Sequence, residues 1–481
     1  MGEAIVSSSA NCDLRVTSLS CGSSHTLALL SNGVPLSWGR GEDGQLGHGD
    51  AEEMTKPRAI FHLMQAKCSQ VTSGAEYSVA LSRTANEVYS WGWGDFGRLG
   101  HGDCNDVFIP QPIKALAGRN VVKVACGDTH TLAVTDAGEL FSFGRNQNGQ
   151  LGLGTTNDAI LPQPVESLRG QEVTSVACGG EHSLATTSGG EVFAWGWGRY
   201  GNLGVGPQED RHLPTQGLKV RDMSCGAEHS MALAGNGAVY CWGWGSYGNL
   251  GDGHREDRCA PVKVQGLEGI KVVSVACGWR HSIAADDTGT VYTFGWSKYG
   301  QLGHGDCSDQ LVPKAVESLK DSRIVLISGG WRHTAAADDT GKLYAWGWNK
   351  FGQLGNGSNA DTNSPAPAVG FGTSTVRLLS CGWRHTFAVT EAGDVFSWGR
   401  GVNGQLGHDE PKDTNVPVRL EELSVGSIKL EDLGATASPQ TTYVPPADRY
   451  AVVPDHSDTV PDGGHGIGTV PEMPATKKAR S

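Results

Sequence analysis

Residues 272–316 read VVSVACGWRHSIAADDTGTVYTFGWSKYGQLGHGDCSDQLVPKAV. A β-branched run (VVSVACG, 272–278) is followed by a small-residue run (HSIAA). Next come an Asp/Gly turn (DDTG, 286–289), an aromatic run (VYTFGW), a glycine-rich turn (YGQLGHGD) and a Pro-led run (VPKAV). Short β segments punctuated by Gly, Asp and Pro argue for strands throughout and leave no segment for an amphipathic helix. The order recurs along the chain. A Gly-x-x-His/Tyr step marks it at Gly22, Gly74, Gly127, Gly179, Gly226, Gly278, Gly330 and Gly382, mostly at a period of 52 residues, with one step of 53 and one of 47. Self-similarity at such a period signals a solenoid, propeller or array. Four strands in about 50 residues make one blade, and blades close radially. The reading is an all-β propeller of eight repeat units over residues 14–423.

The chain enters the repeat near Leu14 and leaves it after the Pro-led run Val416-Pro417-Val418-Arg419-Leu420. Pairing this last run with the N-terminal strands would let the two ends share a blade and cover open edges. Residues 1–13 are expected to be a flexible N-terminus. Residues 424–481 are rich in Pro, Gly, Ser, Thr and Asp without the repeat, lack the apolar density for a core, and are expected to be a disordered tail.

Composition agrees with this division. The 69 glycines fall at fixed turn positions, so they mark turns and not disorder. Six of the 12 cysteines (Cys21, Cys126, Cys178, Cys225, Cys277, Cys381) share one repeat position that Ser73 and Gly329 fill elsewhere. A slot that accepts Cys, Ser or Gly is a small buried site, neither a disulfide partner nor a metal ligand. His25, His130, His182, His229, His281, His333 and His385 recur once per unit, with Tyr77 in the remaining one. Spread around a ring, they cannot converge on one ion and read as structural hydrogen-bonding groups. No catalytic triad order, phosphate loop, CxxC or paired-carboxylate signature stands out, so no enzyme activity, metal, cofactor or small-molecule substrate is expected. No signal peptide or long apolar stretch is recognisable, so a soluble intracellular protein without a membrane partner is expected. The net charge of −13, with only Lys477-Lys478-Ala479-Arg480 as a basic end, disfavours nucleic acid as the main partner.

Fourteen tryptophans sort into three repeat positions. Trp38, Trp91, Trp195, Trp242, Trp346 and Trp398 share a strand slot with Phe143 and Phe294, so that slot needs bulk and belongs to the core. Trp93, Trp197, Trp244, Trp296 and Trp348 lie two residues later, where Arg40, Arg145 and Arg400 also occur, so this slot borders a surface. Trp279, Trp331 and Trp383 form the third class. Each heads a Trp-Arg-His step whose sister positions hold Ser23, Ala75, Asp128, Gly180 and Ala227. Nothing in the repeat demands Trp there. Identical positions of adjacent units lie side by side, so these indoles are expected to cluster with Arg280, Arg332 and Arg384.

Charge is sorted as well. Where units six to eight carry those arginines, units two, four and five carry Glu76, Glu181 and Glu228. Early loops add Glu42, Asp43, Asp95, Asp103 and Asp106. One arc of the face is acidic and the other basic, an arrangement that is self-complementary under a two-fold axis.

The unit resembles that of the regulator of chromosome condensation family, whose usual blade count is seven. The three GWRH[ST] loops, GWGDFGRLGHG (92–102), GRNQNGQLGLG (144–154), GWSKYGQLGHGD (295–306) and the tail segment Arg449–Asp455 are similar to the plant UV-B photoreceptors of that family. The resemblance implies a homodimer held by cross-interface ion pairs, in cytoplasm and nucleus, with tryptophan itself as chromophore. It implies that Trp279, Trp331 and Trp383 form the coupled cluster, with Trp331 as principal sensor and Trp93 approaching from the second subunit. Arg280, Arg332, Arg384 and Arg145 would face Glu42, Asp43, Asp95, Asp106 and Glu181. The tail, at Tyr450, Val453 and Pro454, would bind the WD-repeat domain of an E3 ubiquitin ligase. Other Val-Pro steps occur at Pro445, Pro461 and Pro471, and only Val453-Pro454 has the Arg-Tyr-Ala context. Three substitutions depart from the photoreceptor pattern: Phe143 for Trp, Ser282 for Thr, and Asn157 for an acidic residue. The eighth unit, in which GWGxYGNLG occurs at both 196–204 and 243–251, would change the angle between the two arcs. Family members also include guanine-nucleotide exchange and chromatin-associated propellers, and a light-insensitive paralogue acting as an interaction scaffold is a further alternative.

Overall fold

Each repeat folds into one antiparallel four-stranded sheet, and its strands lie in the sheet in chain order. A computed structural model of the chain describes residues 14–423, apart from 200, 202, 207, 208, 221 and 373, together with Ile428 and Leu433. The eight sheets span 16–59, 70–112, 121–164, 173–219, 222–263, 272–315, 324–367 and 376–419, here blades 1 to 8. Among the described residues the only helices are three-residue 3-10 turns, and none is long and apolar enough to cross a membrane.

Burial explains the residue choice in each strand. The second strand of a blade, such as His281–Asp286, is buried along its whole length because neighbouring blades cover both of its faces. Small residues fit there, hence HSIAAD and HTAAAD. The outermost strand, such as Gln310–Ala315, is only partly buried. It has a free edge, which is where proline is tolerated. The Asp/Gly turn is built by one side chain: Asp286 Oδ1 accepts from the Thr288 and Thr290 backbone N–H groups at 2.9 and 3.0 Å and from the Thr288 hydroxyl at 2.6 Å. Gly289 follows at φ 89°, where a side chain would be strained.

Two repeat residues tie most blades to the next. The recurrent histidine donates or accepts through Nε2 at the next blade's Ser or Thr: His25–Ser78 3.0 Å, His130–Ser183 2.8 Å, His229–Ser282 3.0 Å, His281–Thr334 2.9 Å, His333–Thr386 3.1 Å. Tyr77 reaches further and donates to the His130 carbonyl at 2.6 Å. Burial pushes His281 and His333 down to about 3, so these rings are neutral. The strand-slot Trp is the second tie. Trp91, Trp195 and Trp398 each donate Nε1–H at 2.9 Å to the carbonyl of Gln45, Gln150 or Gln353 in the preceding blade. The core reading of this Trp class and the structural reading of the histidines both describe what these residues do. The repeat cysteines sit on the first strands, which meet their neighbours at the ring's centre; Cys277 N–H, for instance, donates to Ser224 Oγ at 3.0 Å. They are half-buried rather than fully enclosed, and burial still pushes Cys277 up to about 12.

Ring closure differs from the expected shared blade. Blade 1 is complete in the strands 16–59, and the Pro-led strand Thr414–Arg419 pairs with Val395–Gly399 of its own blade. Both ends bring a full set of four strands, so neither lacks a strand for the other to supply. The seam closes by lateral packing instead. Phe387, Val389 and Val395 of blade 8 join Val16, Ala28, Leu30 and Trp38 of blade 1 in one core cluster. The inter-blade Trp tie is repeated across the seam, with Trp38 Nε1 donating to the Gln405 carbonyl at 2.9 Å and Thr26 to the same oxygen at 3.2 Å. Packing also continues past Leu423. Leu433 is buried in the seam cluster and its carbonyl accepts the Ala59 N–H at 2.9 Å, so the body does not stop at 423.

Candidate functional site

The Gly-x-x-His step is a tight loop between the first and second strands of a blade. In blade 7 the Gly330 N–H donates to the His333 carbonyl at 2.9 Å, and a Cβ on Gly330 would lie 2.2 Å from the His333 ring. Only glycine lets the histidine fold under the loop, and the two residues between are projected outward. Adjacent loops touch through their backbones: Trp279 N–H donates to the Gly330 carbonyl at 3.3 Å. Side chains at these positions are therefore neighbours from blade to blade.

The structure brings the three predicted indoles together. Ring centroids are 5.5 Å apart for Trp279–Trp331 and 5.9 Å for Trp331–Trp383, the latter pair stacked at 22°. Trp331 is the middle member and touches both others. Trp383, at the end, is 56% exposed. Arginines interleave the rings as expected. Arg280 lies 3.8 Å over Trp279, Arg332 lies 3.8 Å over Trp331, and Arg384 lies 5.2 Å over Trp331. Guanidinium over indole is a cation–π contact, and its strength rises when water is excluded.

The cluster is wider than the sequence reading made it. Trp296 and Trp348 pack edge-on against Trp279 and Trp331 at 5.7 and 5.5 Å. Tyr247, Tyr299 and Phe351 extend it along the turns: Tyr247–Trp296 5.7 Å, Tyr299–Trp348 6.1 Å and Trp348–Phe351 5.3 Å. Tyr299 OH is also 3.0 Å from Arg332 Nη1 and accepts from it. Arg280 is held between Trp279 and Trp244, the latter at 4.5 Å. The missed signal was positional. The residue before the second turn glycine is aromatic at Phe96, Tyr200, Tyr247, Tyr299 and Phe351, but is Asp43, Asn148 and Asn403 in the other units.

The remaining predicted residues stand elsewhere on the ring. Trp93 belongs to blade 2, where the buried Arg98 lies 4.0 Å over it. Arg145 and Glu181, read as partners across an interface, pair within one chain at 3.4 Å. Glu42 and Asp43 both lie beside Arg40, at 2.6 and 4.0 Å. Asp95 sits at the tip of its turn, and its carbonyl accepts from Arg98 at 2.9 Å. Asp106 has a structural duty: Oδ1 accepts the Gly94 N–H at 2.9 Å, as Asp309, Asp361 and Asp413 do for Ser297, Asn349 and Gly401. Burial pushes the Glu76 carboxyl up to about 7 against the pull of Arg40, and raises Asp106, Asp128 and Glu228 as well. Tyr450, Val453 and Pro454 lie outside the described residues, as do 1–13 and most of 424–481.

The comparisons with known proteins fit this picture. A family model described as the RCC1-like domain matches residues 110–371 and 218–439, and models of the regulator of chromosome condensation (RCC1) repeat match 32–81 and 16–45. The chain belongs to the RCC1-repeat family. Within it this is a propeller similar to the ultraviolet-B receptor UVR8 of Arabidopsis thaliana, 46% identical over 97% of this chain and 96% of that protein. The human E3 ubiquitin-protein ligase HERC2 is 34% identical over 78% of the chain, which corresponds to only 7% of that much longer protein. Among solved structures, human WBSCR16 shares the fold at TM-score 0.59 and 24% identity, over 73% of this chain and 97% of that one. Prp20p of Saccharomyces cerevisiae does so at TM-score 0.58 and 25% identity, over 74% and 90%. The RCC1-repeat assignment explains the strand order and turn glycines. It does not account for the indole–guanidinium cluster, because five of the eight repeat units hold Ser, Ala, Asp, Gly or Ala at that Trp position.

Proposed function

We propose that this RCC1-repeat propeller is a UV-B sensor whose chromophore is its own tryptophan cluster. The observation that carries the reading is Trp331, with two indoles at 5.5 and 5.9 Å and a guanidinium at 3.8 Å over its ring. Indole absorbs in the UV-B, and rings this close share excitation. An excited indole is a strong electron donor, and the arginines against it are the groups that feel any change in its charge. In the dark the chain is a homodimer in which Arg280, Arg332 and Arg384 face the carboxylates of a second copy. Excitation at Trp331 weakens those pairs and the dimer separates. The monomer then signals through Tyr450, Val453 and Pro454, which engage the WD-repeat domain of an E3 ubiquitin ligase. The 46% identity to an ultraviolet-B receptor supports the same reading.

The test is size-exclusion chromatography of the purified chain before and after UV-B, at low and high salt, beside Trp331→Phe. A dimer that shifts to monomer on irradiation, and a variant that stays dimeric under the same dose, are expected. An unchanged elution volume for the irradiated wild type refutes the reading.

A further inference from the structure

The strands of each blade run antiparallel in chain order. The turn between the second and third strands and the connection to the next blade therefore lie at the opposite end from the Trp-Arg loops. On this underside one turn breaks the repeat. Tyr77 pairs with Gly92 as His281 pairs with Gly295, yet the blade 2 hairpin is one residue longer. The residue that makes one repeat step 53 long thus falls in its turn, Arg83-Thr84-Ala85-Asn86. This turn also lacks the glycine that the seven sister turns hold.

Charge breaks the repeat at the same place. The residue after the second strand is Asp136, Asp287, Asp339 or Glu391 in blades 3, 6, 7 and 8, and Ser31, Ser188 or Gly235 in blades 1, 4 and 5. In blade 2 it is Arg83. In blades 6 and 7 the acid pairs with the cation that stands before the first strand, Lys271–Asp287 at 3.3 Å and Arg323–Asp339 at 3.8 Å. Blade 2 has Lys67 in that position, so two cations fill the slots of an ion pair. The Thr84 hydroxyl donates to the Ala66 carbonyl at 3.2 Å, which holds the turn against this connection.

The cations continue onto blade 3. Arg83 Nη2 donates to the Val122 carbonyl at 3.0 Å, and Lys123, on the inner strand, donates to Ser175 Oγ at 2.7 Å. Lys114 begins the next connection, where Glu166, Glu317 and Glu421 stand in three sister blades, and Arg119 follows it. Lys67, Arg83, Lys114 and Arg119 are exposed. Among the described residues none of the five cations makes an ion pair. The one acid at the foot of the turn, Glu87, accepts from the Tyr89 hydroxyl.

We infer that the underside of blades 2 and 3 is a docking surface for a short acidic peptide segment of a partner protein. Five cations without carboxylates raise the local concentration of an anionic partner and select for it. The patch is also bounded. Asp136 and Glu139 of the blade 3 turn, and Glu166 and Glu172 of the connection beyond it, would repel a polyanion long enough to cross them. A segment of a few residues fits between, whereas nucleic acid does not. The surface lies away from the indole cluster, so the inference does not rest on the light-sensing reading and survives its failure.

Fluorescence anisotropy of a labelled hexa-aspartate peptide, titrated with the full chain at low salt, tests the surface. Arg83→Asp installs the residue of the sister blades and gives Lys67 a partner. It is expected to keep the melting temperature of the wild type and to weaken the peptide by about tenfold. If Arg83→Asp fails to fold, Lys67→Asn is the second variant, because Asn120 holds the same slot at the same φ of 48°. It is expected to weaken the peptide by about threefold. A wild type that does not bind the peptide, or variants that bind it as tightly as the wild type does, overturn the inference. A single-stranded oligonucleotide of equal charge that binds more tightly than the peptide, and is lost with Arg83→Asp, makes this a nucleic-acid surface and overturns the peptide assignment. Replacing Asp455, Asp458 and Asp462 of the tail with Asn is expected to leave the affinity unchanged. A gain of more than about tenfold would mean that the chain's own tail occupies the patch, and overturns the assignment to a partner.

Discussion

Acid should unlock the blades, and His333→Gln isolates the effect. His333 is fully buried, with Nε2 3.1 Å from Thr386 Oγ1, and burial holds it down to about 3. In the unfolded chain the ring titrates at about 6.5. A depressed cationic group stabilises the fold above its unfolded pKa and loses that contribution as pH falls towards the folded value. Between these values the unfolded state binds the extra proton, so at pH 5 this one ring removes about 2 kcal/mol. His25, His130 and His281 are also held to about 3, and His182, His229 and His385 to about 4. Seven such rings approach the whole stability of an ordinary folded domain, about 5–15 kcal/mol. Glutamine keeps an amide N–H for Thr386 and does not titrate. At pH 7.5 His333→Gln is expected to cost about 1 kcal/mol through an imperfect hydrogen bond. As the wild type loses its contribution the two curves cross near about pH 6, and at pH 5 the variant is the more stable by about 1 kcal/mol. Urea unfolding followed by circular dichroism at four pH values between 7.5 and 5 measures this. A difference between variant and wild type that stays constant with pH refutes the reasoning.

Three further outcomes are expected. Trp331→Phe leaves the melting temperature within a few degrees of wild type but abolishes the UV-B change in elution volume; a response at the wild-type dose would move the sensor elsewhere in the cluster. Val453→Ala with Pro454→Ala eliminates capture by the ligase WD-repeat domain without changing propeller melting, because proline fixes φ and lowers the ordering cost of a bound peptide; undiminished capture would reject the tail assignment. Trp398→Phe loses the Nε1 bond to the Gln353 carbonyl, whereas among the described residues the buried Trp346 Nε1 has no hydrogen-bond partner, so Trp398→Phe should destabilise by about 1 kcal/mol more than Trp346→Phe in thermal unfolding, and equal losses would show the tie to be energetically idle.

How much of this was legible in the sequence depends on whether a residue obeys the repeat. The strand order, the eight units, the core Trp slot and the histidine ties all follow from positions occupied in nearly every unit, because periodicity reports what the blade itself requires. Seam closure was not legible. Trp38 and Gln405 belong to the repeat like their sisters, and nothing in their types says whether the chain ends share a sheet or abut as complete ones. Leu433 lies in SVGSIKLEDLG (424–434), where Val425, Ile428, Leu430 and Leu433 break the polar composition; that apolar spacing was a legible signal, but it stands beyond the last repeat strand and does not name the groove that Ile428 and Leu433 pack into. The cluster was legible because Trp279, Trp331 and Trp383 break the repeat at a position it leaves free. Its aromatic extension was harder to see, since Tyr299 and Phe351 sit in a turn whose glycines draw the eye.

The division of labour follows from the ring's construction. Blade-to-blade ties lie beneath the face: the histidine to its neighbour's hydroxyl and the Trp to its neighbour's carbonyl. They are closed by buried groups beneath the outward loop residues, which reach them only through side chains, as Glu76 does in accepting from the Gln45 amide at 3.0 Å. The two residues projected between Gly and His can therefore change from Ser23-Ser24 to Gly180-Glu181 to Trp331-Arg332 without disturbing the blade. Three adjacent loops given the same Trp-Arg pair must stack, because their backbones already touch. Once stacked, each guanidinium is held against an indole, and its orientation follows from the ring beneath it. The charge proposed to meet a second copy and the indole proposed to absorb the light are then fixed by the same contact, Arg332 over Trp331 at 3.8 Å. Replacing Arg332 with Lys keeps the charge but gives up the planar stack. It should preserve dark association better than it preserves the response to light, and equal loss of both would separate the charge from the chromophore.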